Sequence, residues 1–329
     1  MTGFHTNPLN KYTPVHTTSG DSDKMTNTDG IQLLQSFSNA VAQLAESVSP
    51  AVVNVSAGRR NGTGVVWSGD GHVVTASHVL GRSTEPTVTL GDGRELSAKV
   101  IGRDQYTDVA LLKVEAEGLS AIQPGSASDV RVGQFVLALA KAFGRKASAT
   151  SGIVTSQSRG VRGWWGAMIE NAVVSDAKLN PGYSGGPLVD ASGKMLGMNV
   201  AYFAGRGVAV SVDSLKEIVG KLSKDGKVKK GFLGVVVEQI GLPEELAKDP
   251  RVDQEEALLV RAVDGLSPAK SAGVAIGDVI LKIGDARATD EYELHKALSG
   301  EVVGKEASLW VLRGEKLTEL RITPREADE

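Results

Sequence analysis

Asn180-Pro181-Gly182-Tyr183-Ser184-Gly185-Gly186-Pro187-Leu188 sets a serine inside a glycine-rich turn, with the apolar pair Leu188-Val189 directly behind it. Glycines let a backbone fold this tightly and bring N–H groups within reach of a substrate carbonyl. A serine hydroxyl is a weak nucleophile until a neighbouring base takes its proton. Two upstream segments offer the partners. Thr75-Ala76-Ser77-His78-Val79 follows the β-rich runs Gly64-Val65-Val66-Trp67 and His72-Val73-Val74, so His78 sits where a strand ends. Thr107-Asp108-Val109-Ala110-Leu111-Leu112-Lys113-Val114 puts an acid at the mouth of an apolar strand. These residue types suit acyl transfer. Ser184 would attack, His78 would act as general base and then general acid, and Asp108 would fix the imidazole tautomer. The N–H groups of Gly182 and Ser184 would form the oxyanion hole. His72 precedes its strand instead of ending it and reads as structural. His5, His16 and His295 have no partner motif and read as surface or tail residues, and Asp104, with no apolar strand behind it, as a loop carboxylate.

The elements that must hold these groups are mostly strands. Thirty-nine glycines and 5% aromatic residues suit a turn-rich, mainly β chain, and 329 residues suit two domains. Ile31, Leu34, Phe37, Val41, Leu44 and Val48 recur at helical spacing, predicting an amphipathic helix over about 30–48 with Asp29 as N-cap. Pro50 marks its boundary with the first strand. A second amphipathic run follows Val212-Asp213, with Leu215, Ile218, Val219 and Leu222 on one face. The lysine-rich stretch 221–230 reads as a solvated linker, and residues 1–28, poor in apolar side chains, as a disordered tail.

Composition narrows the function. A net charge of -3, and a basic stretch without interleaved aromatics, argue against nucleic-acid binding. The chain has no cysteine, hence no disulfide framework and no thiol-based metal site. No metal or other cofactor is expected. No Gly-x-x-x-x-Gly-Lys-Ser/Thr loop occurs, which fits an energy-independent activity. No 18-residue apolar run predicts a membrane span, and no basic segment followed by an apolar one predicts a signal peptide, so the chain reads as cytoplasmic as it stands.

The order His78, Asp108, Ser184 is that of the chymotrypsin-like clan. From about residue 45 onward the chain resembles the HtrA/Deg-like serine proteases, through Ser49-Pro50-Ala51-Val52-Val53-Asn54-Val55, Gly62-Thr63-Gly64-Val65, the triad segments and Ser175-Asp176-Ala177. Gly152-Ile153-Val154-Thr155 resembles the start of the family's second barrel. The resemblance implies a double six-stranded β-barrel over 29–220 followed by a PDZ domain over 231–325. It implies a specificity pocket near Lys178, Leu179, Ala201 and Tyr202. Small or medium apolar residues would be preferred, or acidic ones if Lys178 points inward; a solvent-facing Lys178 is the equal alternative. Gly231-Phe232-Leu233-Gly234-Val235 resembles a PDZ carboxylate-binding loop, with strand-edge peptide addition and a helix over Asp290–Leu298 closing the groove through Leu294 and Leu298. Family members use the N-terminal segment for trimer contacts, which makes Phe37 a candidate for subunit packing; packing on its own barrel is the equal alternative. Most relatives are exported, the alternative to the cytoplasmic reading.

Two positions depart from the family pattern. Tyr183 stands where asparagine is usual, and Leu137-Ala138-Leu139-Ala140-Lys141-Ala142-Phe143-Gly144 stands where a Gly-Asn-Pro-rich turn is usual. Tyr183 either packs beneath the serine turn or holds it in an inactive shape. Three functions therefore compete: a serine endopeptidase for unfolded proteins, a proteolytically silent PDZ adaptor or holdase, and an esterase.

Overall fold

The computed structural model describes residues 27–142, 146–158, 161–162, 168–169, 171–203 and 205–327. The expected tail, with His5 and His16, lies outside the described residues except for Asn27 and Thr28, which are helical. Helix α1 spans Asn27–Val48, so Asp29 sits in its first turn and is not the N-cap. A carboxylate there still faces the positive end of the helix dipole. A boundary between two compact units falls after Ala42. Ile31, Leu34 and Phe37 are 56%, 70% and 56% exposed. Farther along, Leu44 and Val48 lie against the turn at Gly193, so the last turn of α1 packs on the barrel. Pro50 sits in the 3-10 turn Ser49–Ala51 that leads into the first strand.

Six strands close the first barrel: β1 (Val52–Ala57), β2 (Arg60–Val66), β3 (His72–Ala76), β4 (Thr87–Thr89), β5 (Glu95–Asp104) and β6 (Val109–Val114), in the order β1-β2-β3-β6-β5-β4. The second barrel begins at β7 (Phe135–Ala140), one strand before the expected Gly152, which lies inside β8 (Ser148–Ser158). The strands Ala172–Ser175, Pro187–Asp190, Met195–Phe203 and Arg206–Ser211 complete it.

Val109, Ala110, Leu111 and Leu112 are all fully buried, so β6 does not alternate as a half-solvated strand does. Its outer face is covered by helix α3 (Val212–Asp225), which returns from the second barrel to pack on β5 and β6. Ser211 caps α3 by accepting from Ser214 N–H at 3.2 Å. Leu215, Ile218, Val219 and Leu222 are buried as their spacing predicted, each stabilising the fold by ~1.5–3 kcal/mol. The helix continues through Lys221–Asp225, part of the stretch read as linker.

Lys230 is also not a solvated hinge residue. Its ammonium lies 3.6 Å from Asp104 and 3.8 Å from the centre of the Tyr106 ring. Asp104 is no loop carboxylate: it ends β5, is buried, and accepts from Thr107 Oγ1 at 2.6 Å and Tyr106 N–H at 3.1 Å. His295, read as a surface residue, packs its ring 5.3 Å from that of Tyr106.

The C-terminal sheet orders its strands as Val235–Gly241, Glu256–Val263, Val279–Ile283, Ala307–Arg313 and Lys316–Ile322. Val235–Gly241 is an edge strand, flanked by the helix Glu291–Ala297 that Asp290 caps through Glu293 N–H at 2.8 Å.

Candidate active site

Strand pairing brings the first two candidate residues together. β3 and β6 run antiparallel with Thr75 opposite Ala110 and Ala76 opposite Val109. One step further, Ser77 N–H donates to the Asp108 carbonyl at 3.0 Å. The chain turns there into the short helix α2 (Ser77–Leu80) that carries His78. Asp108 adopts a left-handed backbone, φ 59°, which Asp tolerates better than most residues. Its carboxylate then takes two bonds from one residue. Oδ1 accepts from His78 N–H at 2.9 Å, and Oδ2 accepts from His78 Nδ1–H at 2.5 Å. With the proton held on Nδ1, the free nitrogen is Nε2. The two side chains are 33% and 14% exposed, so the acid is the more covered of the two and the base the more accessible.

Ser184 reaches the same place through its glycines. A Cβ on Gly185 would fall 1.9 Å from Thr63 O and 3.0 Å from Ala76 N; one on Gly186 would fall 2.1 Å from Leu139 O. The turn is thus wedged between both barrels, and Gly185 lies against the end of the strand that delivers His78. Gly185 also has φ 87°, and Gly182 φ 91°.

The backbone groups of the turn can be accounted for one by one. Tyr183 N–H donates to Asn180 O at 3.1 Å, Gly185 N–H to Asn199 O at 2.7 Å, and Gly186 N–H to Tyr183 O at 2.9 Å. Among the described residues, the N–H groups of Gly182 and Ser184 have no acceptor. These are the two amides expected to stabilise an oxyanion.

Tyr183 is buried with Leu188, Ala177 and Leu196 in the core of the second barrel. In Leu137–Gly144, residues through Ala140 continue β7, and Phe143 and Gly144 lie outside the described residues. Lys178 is exposed. Leu179 is half-buried against the second-barrel core, Tyr202 is 37% exposed, and Ala201 belongs to the strand Met195–Phe203.

Several supporting residues escaped sequence reasoning. Thr63 N–H donates to Ser184 O at 3.0 Å, Thr75 Oγ1–H to Thr63 O at 2.7 Å, and Asn199 Nδ2–H to Gly186 O at 3.1 Å. Lys141 is fully buried and donates from Nζ to Ser49 O at 2.9 Å and Val52 O at 2.7 Å. Burial lowers its pKa, opposed by the Asp92 carboxylate. A lone cation in an apolar run was the available signal. By contrast, Ser68, Asp70 and His72 gather the same residue types in one hairpin. There Ser68 Oγ and Asp70 Oδ1 both meet His72 Nδ1, at 3.3 and 3.0 Å, and bond to each other, so no relay is built.

In the C-terminal domain, Leu233, Leu294 and Leu298 share one buried core with Val235 packed against it. Arg325 covers the Phe232 ring at 4.6 Å. Gly234 has φ 78°, and a Cβ there would meet Ser267 at 2.2 Å. The N–H groups of Leu233 and Gly234 have no acceptor among the described residues.

Comparison with known proteins decides the family. The trypsin-like peptidase domain matches residues 62–198 and the PDZ domain residues 231–323. The solved HtrA-type protease AlgW with tripeptide superposes with TM-score 0.75 at 31% identity, over 89% of this chain and 98% of that one. The chain belongs to the HtrA-type protease family. Another solved match is the serine endoprotease from Yersinia pestis, with TM-score 0.71, 28% identity, and coverage of 88% of this chain and 98% of that one. Probable periplasmic serine endoproteases, DegP-like, from Pseudomonas putida (strain GB-1) and Rickettsia conorii (strain ATCC VR-613 / Malish 7) are 35% and 33% identical. They align with 80% and 79% of this chain but with 55% and 53% of their own lengths. This HtrA-type chain therefore spans about half the length of the curated relatives it matches.

Proposed function

We propose that the chain is an ATP-independent serine endopeptidase that cleaves unfolded or misfolded proteins through an acyl-enzyme. The observation that most supports this is the His78–Asp108 pair beside a serine turn with two unspent amides. Ser184 Oγ attacks the scissile carbonyl and its proton passes to His78 Nε2, while Asp108 stabilises the imidazolium. The oxyanion accepts from Gly182 and Ser184 N–H. His78 gives the proton to the departing amine, the C–N bond breaks, and the acyl group remains on Ser184. Water, deprotonated by His78, then attacks the ester and releases the acid and the free serine. The burial of Tyr183 in the second barrel favours this reading over the silent adaptor. The side chain proposed to meet the residue before the cut is Leu179, with a preference for small or medium apolar residues.

The C-terminal domain is proposed to bind peptide tails. The carboxylate would lie on the Leu233 and Gly234 amides, and the peptide would extend along the Val235–Gly241 edge by strand addition. The exposed Ile31, Leu34 and Phe37 support a homotrimer, and the periplasmic relatives support export rather than a cytoplasmic location. Labelling with a fluorophosphonate probe, beside degradation of an unfolded protein, tests the central reading. Both signals are expected from the wild type and neither from Ser184→Ala; a wild type silent in both, even with a C-terminal peptide added, returns the adaptor.

A further inference from the structure

We propose that Thr63, on strand β2 of the first barrel, is a positioning residue for the oxyanion turn of the second. The inference rests on the peptidase reading above. Thr63 is fully buried. Its Oγ1–H donates to the Gly182 carbonyl at 2.7 Å and its Oγ1 accepts from Lys141 N–H at 3.0 Å. Its own N–H donates to the Ser184 carbonyl at 3.0 Å, and its carbonyl accepts from Thr75 Oγ1–H at 2.7 Å. A single residue therefore grips the turn at both residues whose amides have no acceptor among the described residues.

The Gly182 bond matters most because Gly182 is free to rotate. Glycine at φ 91° has no Cβ to restrict its torsions, so the direction of its N–H depends on what its neighbours hold. On the far side, the peptide joining Tyr183 and Ser184 is tied through Gly186 N–H. On the near side, the peptide joining Gly182 and Tyr183 is held by Tyr183 N–H to Asn180 O and by Thr63 Oγ1–H to Gly182 O. Without the hydroxyl, one of these two ties is gone and a part-buried carbonyl loses its partner, which gives the peptide a reason to turn. The Lys141 bond orients the hydroxyl: with a lone pair committed to Lys141 N–H, the proton is directed to Gly182 O. The same Lys141 holds the turn at Ser49 and strand β1 through Nζ, so the chain entering the first barrel is tied by hydrogen bonds to the oxyanion turn.

The test compares Thr63→Val, isosteric but without the hydroxyl, Thr63→Ser, which keeps it, and Thr63→Ala, which admits water if the valine variant fails to fold. Loss of an oxyanion donor outright costs ~10²–10³ in rate, so disordering one should lower kcat by roughly tenfold to a hundredfold in Thr63→Val or Thr63→Ala. KM should stay within about threefold, Thr63→Ser should recover most of the rate, and binding of a peptide aldehyde should weaken in parallel with kcat. Amide resonances of Gly182 and Ser184 should shift in the valine or alanine variant and return in the serine variant. A folded Thr63→Val or Thr63→Ala with wild-type kcat, or losses that serine does not repair, overturns the proposal. Unmoved Gly182 and Ser184 resonances overturn it whether or not the protein cleaves peptides. A wild type that neither labels nor cleaves instead overturns the peptidase reading, and the resonances still decide the role of Thr63.

Discussion

Replacing Asp108 by asparagine separates the chemistry of the candidate triad from its folding. Asp108 offers two oxygens to one residue, Oδ1 to His78 N–H at 2.9 Å and Oδ2 to His78 Nδ1–H at 2.5 Å. Asparagine has one oxygen and one NH₂. If its oxygen keeps the main-chain bond, the NH₂ faces Nδ1, which must then accept. The imidazole proton moves to Nε2, where Ser184 needs a lone pair. If the amide turns over, the NH₂ opposes the His78 main-chain N–H and that bond is lost. Triads made this way lose ~10⁴ in kcat, about 5 kcal/mol of transition-state stabilisation. The fold should tolerate the change, because Asn, like Asp, accepts the left-handed φ of 59° at this position. Asp108→Ala should cost an additional ~1–2 kcal/mol of stability, since Ala has no side chain to compensate that conformation. The assay is kcat on a peptide substrate beside urea denaturation of wild type, Asp108→Asn and Asp108→Ala. An asparagine variant within tenfold of wild-type kcat refutes the assignment of Asp108. An alanine variant as stable as the asparagine one refutes the backbone argument.

Gly185→Ala should abolish probe labelling and lower stability by at least ~1–3 kcal/mol, because its Cβ would lie 1.9 Å from Thr63 O and its φ is 87°; labelling kinetics and a thermal melt check this. Burial lowers the Lys141 pKa below 10.5, so between the folded and unfolded values the unfolded chain binds more protons. Stability should therefore rise with pH below 10.5 from this group, and the wild type should gain on Lys141→Met as pH rises toward 10.5 in urea titrations. His72→Ala should keep kcat within about twofold, because its imidazole serves only the Ser68–Asp70 hairpin. Asp70 has a pKa lowered to about 2, first by Ser68 and then by His72, so NMR titration should find it higher in Ser68→Ala.

How far the sequence reached can be judged on these residues. The strand before His78, the apolar strand after Asp108 and the helix carrying Leu215 to Leu222 are local patterns, and periodicity reports them directly. Boundaries that depend on packing shifted. The second barrel starts at Phe135 because β7 pairs with the strand after the serine turn, Leu188 opposite Ala138, a partner chosen at long range. Asp104 read as a loop acid because nothing nearby in the chain signals that Lys230 comes to meet it.

By itself, then, the sequence determined which chemistry was available: one serine in a glycine turn, a base at a strand end and an acid at a strand mouth, in the order of a known clan. Residue types and short spacings suffice for that, because nucleophile, base and acid are properties of side chains. Tertiary structure decided how these groups are placed. Ser68, Asp70 and His72 have the same types within five positions, yet both partners converge on one ring nitrogen. His78 and Asp108, thirty positions apart, are aligned by barrel register, and only one ring nitrogen takes part in the pair. Thr63 and Gly182 meet across 119 positions, where no local pattern reaches, because closing two barrels against each other wedges a strand of one under a turn of the other.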